Sequence, residues 1–251
     1  MDLGLADRVF LVTGGARGLG RATADVLVAE GARVVLSGRT EGTLAAAVGE
    51  LGDHTSYVVA DNADPAAPAR LIDEAQRRWG RLDGALISVG GPPTGSVSAI
   101  TDDQWTRSFA AVFLGAVRMA REVSAVLGEG GSLALVLSSS VRSPLPAMAV
   151  SNGLRPGLAM LTKQLADELG PRGIRVNGLL PGRVATERVA ELDALAGDPE
   201  AAKAASLRTI PLGRYGEPSE FGRAAAFLLS PAASFLTGVM LPVDGGMTRA
   251  L

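Results

Sequence analysis

The stretch from Val9 to Gly20 constrains this chain more than any other. Val9 to Val12 is a short apolar run, the pattern of a parallel strand buried on both faces. Thr13 to Gly20 then supplies glycines at 14, 15, 18 and 20, and Arg21 to Glu30 reads as a helix closed by Gly31. Strand, glycine turn and helix in that order build a phosphate site for a dinucleotide. Glycine lets the backbone turn tightly and approach the pyrophosphate, and the helix N-terminus offers free N–H groups at the positive end of its dipole. The competing reading is a tight βα turn with no ligand.

The rest of the chain keeps the same alternation. Val34 to Leu36 is a second short strand and Thr40 to Leu51 an Ala-rich helix. Thr55 to Ala60 is a third strand, running out at Asp61 and Asn62, and Pro65 to Trp79 is a helix stopped by Gly80. Ala85 to Val89 is a fourth strand, followed by the turn-rich Gly90-Gly91-Pro92-Pro93. Thr101 to Gln104 is a capping box that opens a long helix through Trp105, Phe109, Phe113 and Val117. Those aromatic residues have helical spacing and read as core or interface rather than as a cofactor box. Strands follow at Ser132 to Leu137, Ile174 to Leu180 and Gly238 to Val243, with helices at Ser151 to Leu169, Glu187 to Leu207 and Pro218 to Leu229. Strict alternation without a linker or repeat predicts an α/β fold: a single-domain Rossmann architecture over 1–251, with a doubly wound seven-stranded parallel sheet and helices on both faces.

Composition removes whole classes of function. The net charge is −2 and no long basic run occurs, which argues against nucleic-acid binding. There are no cysteines, so disulfides, thiolate metal sites and a Cys nucleophile are excluded. A single histidine, His54, lies in a polar stretch and reads as a solvated loop residue, so no metal centre is expected. Met1 to Arg8 lacks the pattern of a signal peptide, and no apolar run approaches the roughly 18 residues of a membrane span. A cytoplasmic protein acting on a small molecule is expected, with no nucleic-acid or membrane partner.

The order of motifs resembles the short-chain dehydrogenase/reductase family over essentially the whole chain. Thr13 to Gly20 fits that family's T-G-x-x-x-G-x-G motif at every fixed position, and Asp61 stands where the family holds the adenine. Asn177, Pro181-Gly182 and Thr186 match its N-x-x-x-P-G-x-x-x-T segment, and Leu241 to Gly246 matches its C-terminal ending. The likeness is greatest to the group called 3-oxoacyl-carrier-protein-reductase-like. It implies cofactor contacts from Gly14, Arg17, Gly18, Leu19, Gly20, Arg39, Asp61, Asn62, Gly90, Arg155, Pro181, Gly182, Val184 and Thr186, and a substrate lid over 183–214. It also implies a homo-dimer or homo-tetramer formed through the helices at roughly 102–127 and 151–169.

The cofactor can be narrowed. NAD-dependent relatives tend to place an acid after the second strand, for the ribose 2′-hydroxyl. Here that strand runs out as Ser37-Gly38-Arg39. An arginine can form charge-assisted bonds to a 2′-phosphate, and Arg17 inside the glycine turn can reach the same group. NADP(H) is therefore the expected cofactor. The bland alternative makes both arginines solvated surface residues.

At the catalytic positions the resemblance breaks. The family uses a Tyr as proton donor or acceptor, a Lys four residues on that lowers its pKa, a Ser that positions the substrate oxygen, and an Asn in the proton relay. Alignment puts Ser151 at the Tyr position and Arg155 at the Lys position, and Ser138 stands thirteen residues before Ser151, as the family Ser does before its Tyr. Ser139 and Ser140 are alternates, and Val112 takes the Asn position. Ser138, Ser151 and Arg155 are the candidate catalytic residues. The run Ser151-Asn152-Gly153-Leu154-Arg155 resembles the Ser-Asn-x-x-Arg motif of a subgroup of these reductases.

Ser151 has no adjacent histidine to activate it, and an arginine stays protonated, so neither shuttles a proton readily. The chain has two tyrosines, Tyr57 and Tyr215, neither at the catalytic position. Pro156 either kinks the helix or marks where regular helix begins. Three readings stay open: an NADPH-dependent oxidoreductase acting on a carbonyl or alcohol, an NADP(H)-binding protein without redox turnover, and a degenerate fold that binds no nucleotide.

Overall fold

The strands form where short runs of branched and aliphatic residues can be buried on both sides, and the helices where glycine and proline punctuate longer amphipathic runs. In the computed structural model, which describes residues 2–250, β1 (Val9–Thr13) is followed by α1 (Gly18–Ala29), β2 (Arg33–Gly38), α2 (Glu41–Leu51), β3 (Thr55–Val59), α3 (Ala67–Trp79) and β4 (Gly84–Ile87). Next come α4 (Asp102–Ser108), a π-helical turn (Phe109–Leu114), α5 (Gly115–Val126), β5 (Ser132–Val136), α6 (Ala149–Leu169) and β6 (Arg175–Pro181). The chain ends with α7 (Glu187–Ala194), α8 (Pro199–Leu207), α9 (Pro218–Leu229) and β7 (Met240–Val243). The seven strands make one parallel sheet in the order β3-β2-β1-β4-β5-β6-β7. This is the doubly wound Rossmann arrangement that the alternation predicts.

The period of two along each strand divides the core between two faces. Leu11, Val35, Ile87 and Leu135 face Leu71 of α3, Met119 of α5 and Leu158 of α6. Phe10, Val12, Leu36 and Leu86 face Leu27 of α1, Leu44 of α2 and Phe221 of α9. Strand order reverses between β1 and β4. Open α/β sheets leave a crevice for ligands outside the carboxyl ends of their strands at such a point.

Three helical expectations need correction. The segment read as one helix from Glu187 to Leu207 is two, α7 and α8. Gly197 between them adopts φ +88°, and the Asp198 side chain accepts from the Ala201 N–H at 3.1 Å, so a new helix begins with Pro199 in its first turn. The helix opened by the Thr101–Gln104 capping box widens into a π turn before continuing as α5. Regular helix does not begin at Pro156, because α6 already starts at Ala149 and carries that proline inside it.

At the sheet edge, Gly178 N–H donates to the Val239 carbonyl and Gly182 N–H to that of Val243, at 2.7 and 3.0 Å. Pro242, paired with Leu180, alternates with those inward-bonded residues and turns its nitrogen to the open side of β7. No helix among the described residues is long and apolar enough to cross a membrane.

Candidate active site

The glycine turn leaves the end of β1 with no room for a side chain at Gly15 or Gly20. Gly14 and Gly18 adopt φ +60° and +57°, and a Cβ on Gly20 would stand 2.3 Å from the Gly14 carbonyl oxygen. Gly15 N–H donates to the Ser37 carbonyl at 3.0 Å, which fastens the turn to β2. Arg17 is the N-cap of α1 and makes no side-chain cap, so the first N–H groups of the helix keep their capacity for an anion. Leu19 packs against the core behind them. These features fit a pyrophosphate.

The charged residues nearby are disposed differently from one another. Arg39, just past β2, is exposed, and no side-chain hydrogen bond or ion pair engages it among the described residues. Arg17 is engaged: it donates to Glu187 at 2.9 Å, at the head of α7. Asp61 is exposed and accepts from the Ala63 N–H at 2.9 Å, while Asn62 reaches the Ser88 carbonyl at 3.4 Å. Thr13 closes the switch point with a reciprocal pair: its hydroxyl donates to the Ser88 carbonyl at 2.6 Å and accepts from the Ser88 N–H at 2.8 Å. Gly90 lies exposed two residues further on.

The β5–α6 connection and the first turns of α6 carry the candidate catalytic residues. Ser138 caps the short 3₁₀ turn Ser139–Val141, its hydroxyl accepting from the Ser140 N–H at 3.1 Å. Ser140, not Ser138, meets Ser151: the two hydroxyl oxygens are 3.1 Å apart and both residues are buried. Asn152 grips the same connection, accepting from the Leu145 N–H at 3.0 Å and donating to the Leu145 carbonyl at 2.8 Å. Arg155 lies one helical turn after Ser151 on the buried face of α6 and donates to the carbonyl of Val136, the last residue of β5. It is 5% exposed, and burial pushes its guanidinium down to about 10, so it remains a cation at neutral pH. Val112 is buried on the π turn, with no polar group to offer.

Beyond β6 the chain folds back over the carboxyl edge. Pro181 ends the strand, Gly182 N–H bonds the Val243 carbonyl, and Val184 is buried in a bridge to Gly216. The methyl of Thr186 lies 3.8 Å from the place a Gly18 Cβ would take. Arg188 donates to the Pro92 carbonyl at 2.8 Å and lies against Gly91, where a Cβ would stand 2.5 Å from its Nε. Asp193, 7% exposed, accepts from Arg183 at 3.1 Å and from the Tyr215 hydroxyl at 3.0 Å. Burial and then Asp193 hold the Tyr215 phenol above its usual range, the opposite of what an acid working near neutral pH needs. Tyr57 is far along the sheet on β3, its hydroxyl 3.4 Å from Glu41.

Glu187, Arg188 and Asp193 are parts of this neighbourhood that sequence reading missed. Glu187 and Arg188 directly follow Thr186, which the motif does identify, but their partners are 170 and 96 residues away.

A Rossmann sheet with a glycine turn at its switch point and hydroxyl and guanidinium groups gathered at the end of β5 defines a dinucleotide-dependent class of protein. Residues 14–248 match the family model described as enoyl-(acyl carrier protein) reductase. The chain is 37% identical over 256 residues to an A-factor type gamma-butyrolactone 1′-reductase of Streptomyces virginiae, covering 97% of this chain and 96% of that one. It is 35% identical to the cis-4-hydroxycyclohexanecarboxylate dehydrogenase of Sinomonas cyclohexanicum, with 99% of both chains covered. Among solved structures, the L-sorbose reductase of Gluconobacter frateurii, complexed with NADPH and L-sorbose, superposes with a TM-score of 0.92 at 27% identity over 100% of both chains. The chain belongs to the short-chain dehydrogenase/reductase family.

Proposed function

We propose that the protein is an NADP(H)-dependent oxidoreductase that interconverts a carbonyl and an alcohol with a non-standard active centre. The observation that carries this reading is the glycine turn, with its positive-φ glycines and uncapped α1 N-terminus, followed by Arg39 exposed and unpaired where an NAD site would hold an acid. The NADPH bound by the sorbose reductase supports the same choice. Gly14 to Gly20 would take the pyrophosphate, Arg17 and Arg39 the 2′-phosphate, Asp61 and Asn62 the adenine side, and Gly90, Arg155, Pro181, Gly182, Val184 and Thr186 the nicotinamide end. Bound NADPH supplies the hydride that goes to the carbonyl carbon.

The chain's own residues then have limited tasks. Ser138, Ser151 and Arg155 orient the substrate oxygen and stabilise the charge that develops on it. None of the three titrates near neutral pH, so the proton that completes the alcohol comes from water or from the substrate itself. The segment 183–214 acts as the lid, with Arg188 bonded to the loop after β4 and Asp193 latched to Tyr215. Exposed Phe109, Val126 and Met160 on the π turn, α5 and α6 suit association of copies through those elements.

Turnover tests the reading. NADPH consumption over a panel of ketones and oxoacyl compounds should be measurable with at least one member and should fall on Ser138→Ala. The family Tyr and Lys are replaced by Ser151 and Arg155, and this specific observation favours a second reading, NADP(H) binding without turnover. On that reading NADPH binds but no panel member reacts, and Ser151→Tyr with Arg155→Lys creates activity.

A further inference from the structure

Arg155 is buried at the carboxyl end of β5 with its guanidinium directed to a backbone carbonyl, and no carboxylate among the described residues pairs with it. A buried cation without a counter-charge is costly, and structural ion pairs or ligands normally relieve it. Two other arginines, buried Arg175 and half-buried Arg183, are satisfied within the described residues. Arg175 is enclosed by the carbonyls of Leu228, Leu229 and Ser230, at 2.7, 3.3 and 2.9 Å. Arg183 reaches the buried carboxylate of Asp193. Arg155 has one carbonyl for a group that carries five N–H donors.

The polar side chain one turn before it on α6 and the group that side chain contacts are both uncharged hydroxyls. Ser151 precedes Arg155 by one turn of α6, and Ser140, on the segment that begins at Val136, shares a 3.1 Å contact with Ser151. Ser151 and Arg155 stand one helical turn apart, Ser140 touches Ser151, and there is no carboxylate among the three. The cofactor phosphates cannot supply the missing negative charge, because the glycine turn follows β1, and β4 separates β1 from β5. Two strand spacings put those phosphates roughly 10 Å away. An oxidised nicotinamide brought to this end of the sheet would add a further positive charge.

We infer that Arg155, with Ser140 and Ser151, forms a carboxylate-binding subsite at the catalytic centre, so that the substrate is a carbonyl or alcohol compound bearing a carboxylate close to the reacting carbon, a 2-oxo or 2-hydroxy acid in its simplest form. The planar fork of a guanidinium matches the two oxygens of a carboxylate, which an ammonium at the same place would not do. The inference rests on the proposed oxidoreductase reading for the word substrate, but the anion subsite itself does not need turnover.

The test is therefore a binding experiment. Acetate, propanoate and benzoate are each compared with their primary amides by titration calorimetry at fixed ionic strength, on protein with and without NADP⁺. At least one acid should bind about tenfold or more tightly than its amide, and Arg155→Gln should abolish that preference. Equal binding of every acid and its amide, or a preference that survives Arg155→Gln, overturns the inference. If the glutamine variant does not fold, Arg155→Lys decides: a weakened preference supports the subsite and an unchanged one overturns it. NADPH binding is followed separately by its fluorescence, so a failure of the cofactor reading is distinguishable from a failure of the subsite.

Discussion

Arg17 in the glycine turn and Glu187 at the head of α7 are joined by an ion pair of 2.9 Å, with both side chains 68% exposed. The pair spans from the proposed phosphate site to the proposed lid. The 2′-phosphate of NADPH would compete with Glu187 for the same guanidinium. Glu187→Gln removes the competitor and should tighten NADPH binding with little effect on NADH. An exposed pair contributes about 0.2–1 kcal/mol, so the gain is limited to about fivefold. Fluorescence titration with both nucleotides measures it, and a loss of NADPH affinity would show that Glu187 helps to place Arg17.

Arg39 should behave in the opposite way. It has no protein partner to release among the described residues. Arg39→Ala should lower NADPH affinity about tenfold or more and leave NADH unchanged, since hydrogen bonds to charged groups contribute about 1.5–3 kcal/mol. Equal affinities for the two cofactors, unchanged by the substitution, would remove the NADP(H) assignment.

Tyr215→Phe discriminates a latch from a proton donor. The hydroxyl is one of two donors to the buried carboxylate of Asp193, and Arg183 remains when it is removed. Hydrogen exchange should rise within 183–216 while turnover persists. Abolished turnover with unchanged exchange would make Tyr215 the acid instead.

Asn152→Ala removes two hydrogen bonds to the Leu145 backbone and releases the connection that carries Ser138 and Ser140. A cost of about 1–3 kcal/mol is expected, which lowers the melting temperature by several degrees in a chain of this size. Calorimetry on wild type and variant checks it, and an unchanged melting temperature would mean that the two bonds do not hold the connection.

The stability of the fold should depend on Arg155 at high pH. Burial lowers its pKa to about 10, well below the ordinary guanidinium range. The folded state therefore releases this proton before the unfolded state does, and stability gains as pH rises through about 10 and above. Below pH 10 the buried charge opposes folding in full. Comparing wild type with Arg155→Met by denaturant titration cancels the other groups, and the difference should move in favour of wild type as pH rises from about 9 to 11.

Much of the fold is legible because its signals are local. Val9 to Val12 is apolar throughout, the glycines at 14, 18 and 20 meet strict backbone demands, and Thr101 with Gln104 closes its own cap. Strand limits shift by only a residue or two from the apolar runs. The π turn at Phe109–Leu114 has no comparable signature, since its residues suit any helix. The break between α7 and α8 depends on Gly197 and the Asp198 cap, which composition alone blurs into one helical stretch. The site divides in the same way. The turn and the 181–186 segment are visible as motifs. The Ser140–Ser151 contact and the Arg17–Glu187 pair join residues 11 and 170 positions apart, and only the folded sheet brings them together.

Pro242 has a consequence for how copies of this chain can meet. β7 closes one side of the sheet and is only four residues long. Its proline stands on the open side and offers no hydrogen for a neighbouring backbone to accept. A strand laid against it would find the middle of its ladder missing a donor, so the sheet resists being continued from one molecule into the next. Contacts between copies along this border therefore have fewer backbone groups to share and depend more on the shape and chemistry of side chains.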